Sequence, residues 1–586
     1  MLSRYAFVMT RLLSLLAALT LAAPAFGQSL PPDPEAATGR AEKRVLLAER
    51  EMVVAAHPLA AEAGALMLRA GGTAVDAAIA VQAALGLVEP QSSGLGGGAF
   101  LLYWEPATKR LESWDGRETA PLAATESLFL DPAGKPMDFW DAVVGGRSVG
   151  VPGVLRMLEA VHRRDGRIAW ADLFAPAIRL AEEGFPVSGR MHRLSKADPY
   201  LKTRPEAAAY FLDAQGQAWP EGHILTNPAY ADTLRRIAAE GADGFYRGPM
   251  SHAIAAAVRG DPVNPGVMTQ GDIEAYRALQ RPAVCLPYRG YSICGMGPPS
   301  SGGVTVGTIL AQLDRVDLGA LGPQNRLSWH WLAESERLAF LDRARWIADR
   351  DFFPVPMAGL TDPAYLAARS ALMRPDAALV DARAGTPPGA IAPVQEAGSP
   401  EAPSTTHLSI VDAQGRAVSM TSSIEGAFGS RVFVGGFLLN NQLTDFAFNA
   451  RQGNAKAANR VEPGKRPRSS MAPTLIFAPD GRLAYVLGSP GGSRIIPFVA
   501  QTAIGLIDWG WTPQQAVSRG HVMNRGGATE LEEGTEATRL APRLAALGHK
   551  VRGAAMASGL HVIAVLPDGR LLSGVDPRRD GAVAGR

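Results

Sequence analysis

The sequence predicts a layered α/β protein, and two observations support this prediction. The first half of the chain is rich in apolar residues at helical spacing, as in residues 57–90 (HPLAAEAGALMLRAGGTAVDAAIAVQAALGLVEP). The second half contains short alternating strands, and two of them lead into the turn sequence PDGR, which is typical of a β-hairpin. Because an apolar strand also follows the early helices, at GGAFLLYW, we expect helices to cover sheets.

The composition is that of a globular chain with little net charge. Of its 586 residues 47% are hydrophobic, which is ample for large buried cores. The 58 basic and 56 acidic side chains are spread along the chain, so we expect no nucleic-acid partner. The histidines never form a ligand pair such as H-E-x-x-H, and we expect no metal and no other cofactor.

The first 27 residues have the pattern of a secretory signal peptide. Arg4 and Arg11 precede the apolar run LLSLLAALTLAA, and the small residues Ala25 and Gly27 predict cleavage before Gln28. The apolar run has about a dozen residues, whereas a membrane-spanning helix needs about 20. A retained membrane anchor is therefore the less favoured alternative, and we expect an exported protein, periplasmic or secreted, without a permanent anchor.

Two long segments lie between this signal and the strand-rich half. From about residue 141 to residue 274, helical patterns alternate with short loops, which predicts a mostly helical layer. Residues 375–404 are rich in proline, alanine and glycine and have no periodicity, which is typical of a loop or linker.

The only two cysteines flank a predicted hairpin in RPAVCLPYRGYSICGMG. If Arg289 and Gly290 form a two-residue turn, Cys285 and Cys294 lie opposite each other on neighbouring strands. An oxidising compartment would permit a disulfide between them. Two buried free thiols fit the sequence equally well.

The stretch STTHLSIVD, residues 404–412, starts a strand with hydroxyl residues directly after the linker. A turn centred on Gln414 would bring Thr405 opposite Ser423 in an antiparallel pair. Hydroxyl pairs are common in sheets, so a purely structural role fits the hairpin too. Chain cleavage before Thr405, however, would create a hydroxyl nucleophile together with an α-amine base, whose ordinary pKa is about 7.7 to 8.0.

Successive motifs along the chain resemble those of the γ-glutamyltransferase (γ-glutamyltranspeptidase) family. They are TTHLSIVD, GFLLNNQLTDF, KRPRSSMAPT and GSPGGSRI in the second half, and GGTAVDAAIAVQAALGLVEPQSSGLGGGAF, DGRETAP, SVGVPG and PPSSGG upstream. The resemblance runs from about residue 46 to the C-terminus. It implies an N-terminal-nucleophile hydrolase with a four-layer αββα sandwich, built from two chains of one precursor.

The resemblance also implies that the precursor cuts itself between Ser404 and Thr405. The large subunit would be residues 28–404 and the small subunit residues 405–586. Thr405 would attack its own preceding carbonyl, and then the γ-carbonyl of a glutamyl compound such as glutathione. The resulting γ-glutamyl ester would pass to water or to the amine of an amino acid or peptide acceptor.

Further site residues follow from the same resemblance. Ser423 would assist Thr405, and the backbone N–H groups of Gly491 and Gly492 would stabilise the oxyanion. Taken alone, SPGGSR also fits a tight turn before a helix, and KRPRSS a solvated basic loop. The substrate-binding set implied by the family comprises Arg117, Ser469 and Ser470 for the α-carboxylate, and Gln442, Asp445 and Glu425 around the α-ammonium.

Three departures from the family pattern bear on specificity. Ser423 stands where the family commonly has threonine, and Glu425 where it often has asparagine. The loop between Asp445 and Ser469 is short and lacks Tyr or Trp, so we expect a more open site that favours hydrolysis. A related glutaryl or cephalosporin-type acylase and a non-catalytic exported binding protein are the competing hypotheses. The retained Asp445 argues against the acylase, because a glutaryl group has no ammonium to bind.

Overall fold

A computed structural model of the chain describes residues 39–391, 394–395, 404–453 and 455–586. The predicted signal peptide, residues 1–27, lies outside the described residues, as do positions 392–393 and 396–403 of the predicted linker. The chain is continuous from Ser404 to Thr405, so the structure is that of the uncut precursor.

Most helices of the described residues lie in the first half of the chain. In chain order they are α1 Pro58–Arg69, α2 Ala74–Val88, α3 Phe139–Val143, α4 Val154–Asp165, α5 Ala175–Glu183, α6 Gly189–Ala197, α7 Pro205–Phe211, α8 Pro228–Glu240, α9 Asp243–Tyr246, α10 Gly248–Arg259, α11 Gln270–Ala275, α12 Gly302–Leu313, α13 Leu318–Leu321, α14 Arg326–Trp346, α15 Met357–Leu360, α16 Pro363–Ala371, α17 Ile495–Ile507, α18 Pro513–Ser518 and α19 Ala541–Ala545. Helices α3 to α11 form the mostly helical stretch predicted for residues 141–274. Within the described ranges, no helix is long and apolar enough to cross a membrane.

The strands are short and most lie in the second half. In chain order they are β1 Leu47–Ala48, β2 Met52–Ala55, β3 Gly98–Glu105, β4 Arg110–Gly116, β5 Phe185–Pro186, β6 Ile224–Leu225, β7 Leu279–Arg281, β8 Val284–Tyr288, β9 Tyr291–Gly295, β10 Val394–Gln395, β11 Ser404–Val411, β12 Ala417–Glu425, β13 Phe433–Val434, β14 Phe437–Leu438, β15 Arg451–Gln452, β16 Ala455–Ala457, β17 Thr474–Phe477, β18 Leu483–Gly488, β19 Val522–Asn524, β20 Thr529–Glu532, β21 Val551–Ala554, β22 His561–Val565, β23 Leu571–Val575 and β24 Ala582–Gly585. Both PDGR sequences connect paired antiparallel strands, β17 to β18 and β22 to β23, as predicted.

Two seven-stranded antiparallel sheets form the centre of the protein. The sheet that contains Thr405, called the Thr405 sheet, has the order β24-β2-β11-β12-β3-β4-β7, and the second sheet has the order β1-β23-β22-β18-β17-β9-β8. The sheets stack face to face, since β11 contacts β18 and β22. An apolar cluster that includes Met52, Leu102 and Val486 fills the space between them.

Helices cover the outer face of each sheet and complete four αββα layers. The helix α2 packs against β11 and β12 of the Thr405 sheet, and all 15 residues of this helix are buried. Thr73 and Asp76 form a capping box that starts this helix, so the predicted helical stretch is divided into α1 and α2. On the other side α12, α14 and α17 share a core with the second sheet. The layered fold predicted from the sequence is confirmed.

The β11–β12 register follows the predicted turn. Val411 lies opposite Ala417 and Thr406 opposite Ser422, as a turn centred on Gln414 requires. The register shifts between Ser404 and Thr406, because β12 has two residues, Ser423 and Ile424, opposite the single residue Thr405. A bulge in β12 therefore replaces the plain Thr405–Ser423 pair that the turn predicts.

The cysteine hairpin is formed by β8 and β9. Cys285 lies directly opposite Cys294 and the two are joined by a disulfide. Arg289 and Gly290 both have positive φ, at 53° and 80°, which is the conformation of a two-residue type I′ turn. Of the two alternatives left by the sequence, the structure contains the bonded pair.

Candidate active site

Thr405 and Ser423 surround the peptide carbonyl that joins Ser404 to Thr405. The Thr405 Oγ1 is 2.6 Å from the Ser404 carbonyl oxygen and 3.2 Å from the Ser423 Oγ. Ser423 Oγ donates to the same carbonyl at 2.7 Å. The carbonyl is thus held between two hydroxyls, which polarise it toward nucleophilic attack.

Hydrogen bonds with backbone groups fix the hydroxyls of Ser423 and Ser404. The Glu425 N–H donates to Ser423 Oγ at 2.8 Å, which turns the serine proton toward the carbonyl of Ser404. The Ser404 hydroxyl donates to the Gln91 carbonyl at 2.9 Å. The residue before the cleavage position is therefore anchored in the loop between α2 and β3.

Glu425 occupies an unusual backbone conformation at the end of β12. Its φ is 79°, a region that side-chain-bearing residues rarely adopt and that marks strained functional positions. Its carboxylate Oε2 accepts from Asn441 Nδ2 at 2.6 Å. The bend carries the Glu425 side chain into the same cavity as Thr405.

Arg117 and Asp445 form a buried ion pair in the same cavity as Thr405. Arg117 is fully buried and its Nη2 contacts Asp445 Oδ2. The guanidinium also donates to the carbonyls of Pro467 and Arg468, at 3.2 and 3.0 Å. Gln442 Nε2 donates to Asp445 Oδ2 at 2.8 Å. The site therefore contains one cationic and one anionic pole next to each other, which suits a zwitterionic ligand.

Ser469 and Ser470 are held against the PPSSGG turn. Ser301 donates to the Ser469 carbonyl through its N–H and its hydroxyl, at 2.8 and 2.7 Å. Arg343 Nη2 donates to Ser470 Oγ at 2.6 Å, and its Nε donates to Ser301 Oγ at 2.7 Å. These contacts give the two serines fixed positions, so KRPRSS is a buried segment and the solvated-loop alternative is wrong.

Gly491 and Gly492 connect β18 to a 3₁₀ turn, Gly492–Arg494, that runs into α17. Their φ angles are 136° and 56°, and a Cβ on Gly491 would lie 2.7 Å from the Phe498 ring. The N–H groups at a helix start have no intrahelical acceptor and attract negative charge. The tight turn before a helix is present, and it is compatible with an oxyanion site.

A single cavity brings the predicted residues together. In the uncut chain only about 20 Å³ of it is open to the centre of a water molecule. It is lined by Arg117, Thr405, Ser423, Glu425, Gln442, Asp445, Ser469, Ser470, Met471, Gly492 and Ile495. Gly491 is outside this lining, and Ser404 is at its edge through its carbonyl. Thr405 and Asp445 are both buried in the uncut chain, so the more open site expected from the short loop stays a prediction for the cut protein.

His407 lies beneath the site, between the two sheets, and does not line the cavity. Its Nδ1 is 2.8 Å from Thr421 Oγ1 and its Nε2 is 3.1 Å from Ser409 Oγ. Burial, with a smaller effect from His561, keeps the pKa of His407 well below its usual value. The ring also packs on Gly488, at the end of the strand that leads to Gly491.

Gly488→Ala should destabilise the protein by about 1 to 3 kcal/mol, because the new methyl would overpack the core. A Cβ at Gly488 would lie 2.2 Å from the His407 ring. Chemical denaturation of the purified protein measures the effect. Gly527→Ala is the control, since a Cβ there meets nothing within 4 Å. Equal stability of the two variants would contradict the close approach of His407 to β18.

Sequence reasoning missed several residues that support the site. Arg343 is a charged residue on a buried face of α14, and only its contacts with Ser301 and Ser470 reveal its place. Glu118 follows Arg117 in the DGRETAP motif and is fully buried, 3.6 Å from the guanidinium. Burial raises the pKa of Glu118 to about 8. The sequence did contain a signal for Glu118, because this acidic residue directly follows Arg117, which was predicted to bind the substrate.

The described part of the chain contains no group of three or more His, Cys, Asp or Glu side chains arranged to hold a metal ion. The cavity itself is lined by hydroxyl side chains, the Arg117–Asp445 pair and the Glu425 carboxylate.

Comparison with known proteins gives consistent relationships over nearly the whole chain. A glutathione hydrolase proenzyme of Bacillus subtilis (strain 168) is 35% identical over 554 residues, covering 93% of this chain and 92% of that protein. An acylase ACY 1 proenzyme of Pseudomonas sp. (strain V22) is 38% identical, covering 94% and 96%. The crystal structure of a cephalosporin acylase from Bacillus halodurans superposes with a TM-score of 0.80 at 27% identity, covering 94% of this chain and 99% of that one.

A family match covers most of the chain, including every residue of the cavity described above. Residues 60–586 match the family described as gamma-glutamyltranspeptidase. The relatives are named proenzymes, which agrees with the two-chain precursor expected from the sequence. This protein is a member of the γ-glutamyltranspeptidase family.

Proposed function

We propose that this protein is an exported precursor that cuts itself before Thr405 and then cleaves γ-glutamyl amide bonds, including that of glutathione. The observation that carries the proposal is the position of the Thr405 hydroxyl, 2.6 Å from the Ser404 carbonyl oxygen and in one cavity with Arg117 and Asp445. The products of the cut are a large subunit, residues 28–404, and a small subunit, residues 405–586.

Self-cleavage begins with attack of Thr405 Oγ1 on the carbonyl carbon of Ser404. The new C–O bond forms as the C–N bond to Thr405 breaks, and the hydroxyl proton passes to the departing nitrogen. Ser423, which donates to the carbonyl oxygen at 2.7 Å, stabilises the charge that develops there. Water then hydrolyses the ester, which leaves a carboxylate on Ser404 and a free α-amine on Thr405.

Turnover uses the same oxygen with a new base. The α-amine of Thr405 takes the hydroxyl proton while Oγ1 attacks the γ-carbonyl of the substrate. The N–H groups of Gly491 and Gly492 stabilise the oxyanion, and the leaving amine receives the proton. Water or the amine of an amino acid or peptide then releases the γ-glutamyl group from Thr405.

The α-amino-acid end of the substrate binds at the charged poles of the cavity. Arg117, Ser469 and Ser470 take the α-carboxylate, while Asp445, Gln442 and Glu425 surround the α-ammonium. Arg117 and Asp445 are paired with each other in the uncut chain, and a zwitterionic ligand replaces that contact with two of the same kind. The glutathione hydrolase name of the Bacillus subtilis relative agrees with such a substrate.

A glutaryl or cephalosporin-type acylase is the second candidate function. It is favoured by the acylase relative at 38% identity and by the cephalosporin acylase structure. Asp445 argues for the γ-glutamyl substrate, since a glutaryl group has no ammonium for that carboxylate to bind. Comparing the turnover of γ-glutamyl and glutaryl anilides separates the two, and a preference for glutaryl would reverse our choice.

N-terminal sequencing of the smaller chain tests the central step. Purified protein should give two bands on denaturing electrophoresis, and the smaller one should begin at Thr405. A start at Thr406 or elsewhere would refute the nucleophile assignment. One intact band that is stable on incubation would favour the non-catalytic binding protein.

A further inference from the structure

Arg579 reaches the nucleophile from the segment between β23 and β24. Its Nη1 donates to the carbonyl oxygen of Thr405 at 3.1 Å. Its Nε and Nη2 both donate to the Ala557 carbonyl, at 3.1 and 2.9 Å. The side chain is 2% exposed, so a permanent positive charge lies buried against the backbone of Thr405.

The sheet leaves this carbonyl to a side chain. Strand β2 pairs with β11 only from Leu408 to Val411, and the ladder with β12 shifts register between Ser404 and Thr406. A buried carbonyl outside a ladder needs another donor. A neutral donor would also meet that need, whereas a guanidinium brings a permanent positive charge to this position as well.

We propose that Arg579 is a positioning residue that holds the Thr405 backbone and favours the neutral, basic form of its α-amine once the chain is cut. The inference rests on the proposed function, because only cleavage creates that amine. The nitrogen and the carbonyl oxygen of one residue are at most about 3.6 Å apart. The guanidinium is therefore within about 7 Å of the amine, where a like charge disfavours the ammonium form.

Other charged groups lie near the same amine, and some of them raise its pKa while others lower it. The charged residues that line the cavity with Thr405 are Arg117, Glu425 and Asp445. Two of these are carboxylates, which favour an ammonium, and Arg117 offsets one of them by its ion pair with Asp445. Without a further cation the amine would be protonated more readily than an ordinary N-terminus.

Lys43 is a second cation near this segment and interacts with Asp580 and Asp576, whereas the two histidines nearby carry no charge. His407 and His561 lie under the nucleophile strand, and burial lowers the pKa of His561 to about 4. Both rings are therefore neutral at pH 7. Asp576 and Arg578, on the same segment as Arg579, pair with each other at 3.0 Å. Arg579 is the cation that contacts Thr405 directly.

The pH profile of the processed enzyme tests the proposal. In Arg579→Met, the acidic limb of kcat/KM for a γ-glutamyl anilide should move up by about one pH unit, because the ammonium of Thr405 loses a repelling charge. Activity on the alkaline plateau should stay within about threefold of wild type, since the neutral amine is then the only form. Arg579→Lys keeps the positive charge, so the acidic limb of its kcat/KM profile should lie at the same pH as in wild type.

The matched control is Arg482→Met, which removes an arginine paired with Asp480 on an exposed turn and should leave the profile unchanged. A loss in Arg579→Met that is uniform across pH, with the limb unmoved, would reduce Arg579 to a structural donor and overturn the proposal. If Arg579→Met does not fold or cut, carbamoylation of the wild-type Thr405 amine by cyanate replaces it. A midpoint at or below the ordinary pKa of about 7.7 to 8.0 supports the proposal, because the cavity carboxylates without Arg579 would raise it, and a midpoint above that range overturns it.

Sequencing distinguishes this failure from that of the proposed function. A small chain that begins at Thr405 and turns over substrate, but with an amine pKa above the ordinary range of about 7.7 to 8.0, would refute the role of Arg579 alone. A wild-type chain that is uncut, or cut elsewhere, would refute the function and the role together.

Discussion

Replacing Thr405 by alanine should leave one uncut chain and reduce turnover by about 10⁴-fold or more, the scale at which loss of a nucleophile abolishes covalent catalysis. The Thr405 hydroxyl is the one that lies 2.6 Å from the Ser404 carbonyl oxygen and opens into the cavity. Without it neither the self-cleavage ester nor the γ-glutamyl ester can form. Denaturing electrophoresis and an anilide assay of the same preparation measure both effects.

Two variants separate this effect from general damage to β11. Thr406→Val removes the neighbouring buried hydroxyl, for which the described residues provide no hydrogen-bond partner, and should leave cutting and turnover intact. Ser423→Ala should slow both by about 10²-fold, as expected for the loss of one oxyanion donor. If Thr405→Ala is still cut at residue 404, Thr405 is not the nucleophile.

Asp445→Asn should lower kcat/KM for a γ-glutamyl anilide by about 10² to 10³-fold, because the substrate ammonium loses its charged partner in a buried site. Turnover of the matching glutaryl anilide, which has no ammonium, should change by less than about threefold. The ratio of the two rates measures the contribution of this one contact. Asp480→Asn, on an exposed turn, should change neither rate.

The Asp445 variant should still fold, although it removes one partner of a buried ion pair. Glu118 lies 3.6 Å from the Arg117 guanidinium. Burial raises the pKa of Glu118 to about 8, against the opposing effect of Arg117 and with a smaller contribution from Asp445. Asp445 is one of the charges that raise this pKa, so its removal favours ionisation of Glu118 beside Arg117. If the variant is processed normally but its activity falls equally on the γ-glutamyl and the glutaryl anilide, Asp445 does not bind the substrate ammonium.

The hairpins were predictable because their determinants are local. The β11–β12 register follows from a four-residue turn and an alternating pattern, and the Arg289–Gly290 turn places Cys285 opposite Cys294. The β12 bulge opposite Thr405 was not predictable, because it depends on what lies beside the strands. There β2 has ended and Arg579 supplies the hydrogen bond instead.

The candidate residues were also identifiable by motif, but their mutual arrangement was not. Arg117 and Asp445 are separated by 328 positions in the chain and meet as a buried pair. Arg343, on α14, donates to both Ser470 and Ser301, although sequence reasoning assigned Arg343 no role. Such contacts depend on how layers stack, and no short-range pattern records that.

The sequence by itself determined the layered class, the strand that begins at Ser404, the hairpin registers and the residue types of the site. Periodicity and turn chemistry act over a few residues, so they can be read from one stretch of chain. Only the tertiary structure decided that the Thr405 hydroxyl lies against its own preceding carbonyl, that the two charged poles adjoin it, and that Arg579 contacts its backbone. These are long-range contacts between stacked layers, and their energies exist only once the sheets and helices have packed.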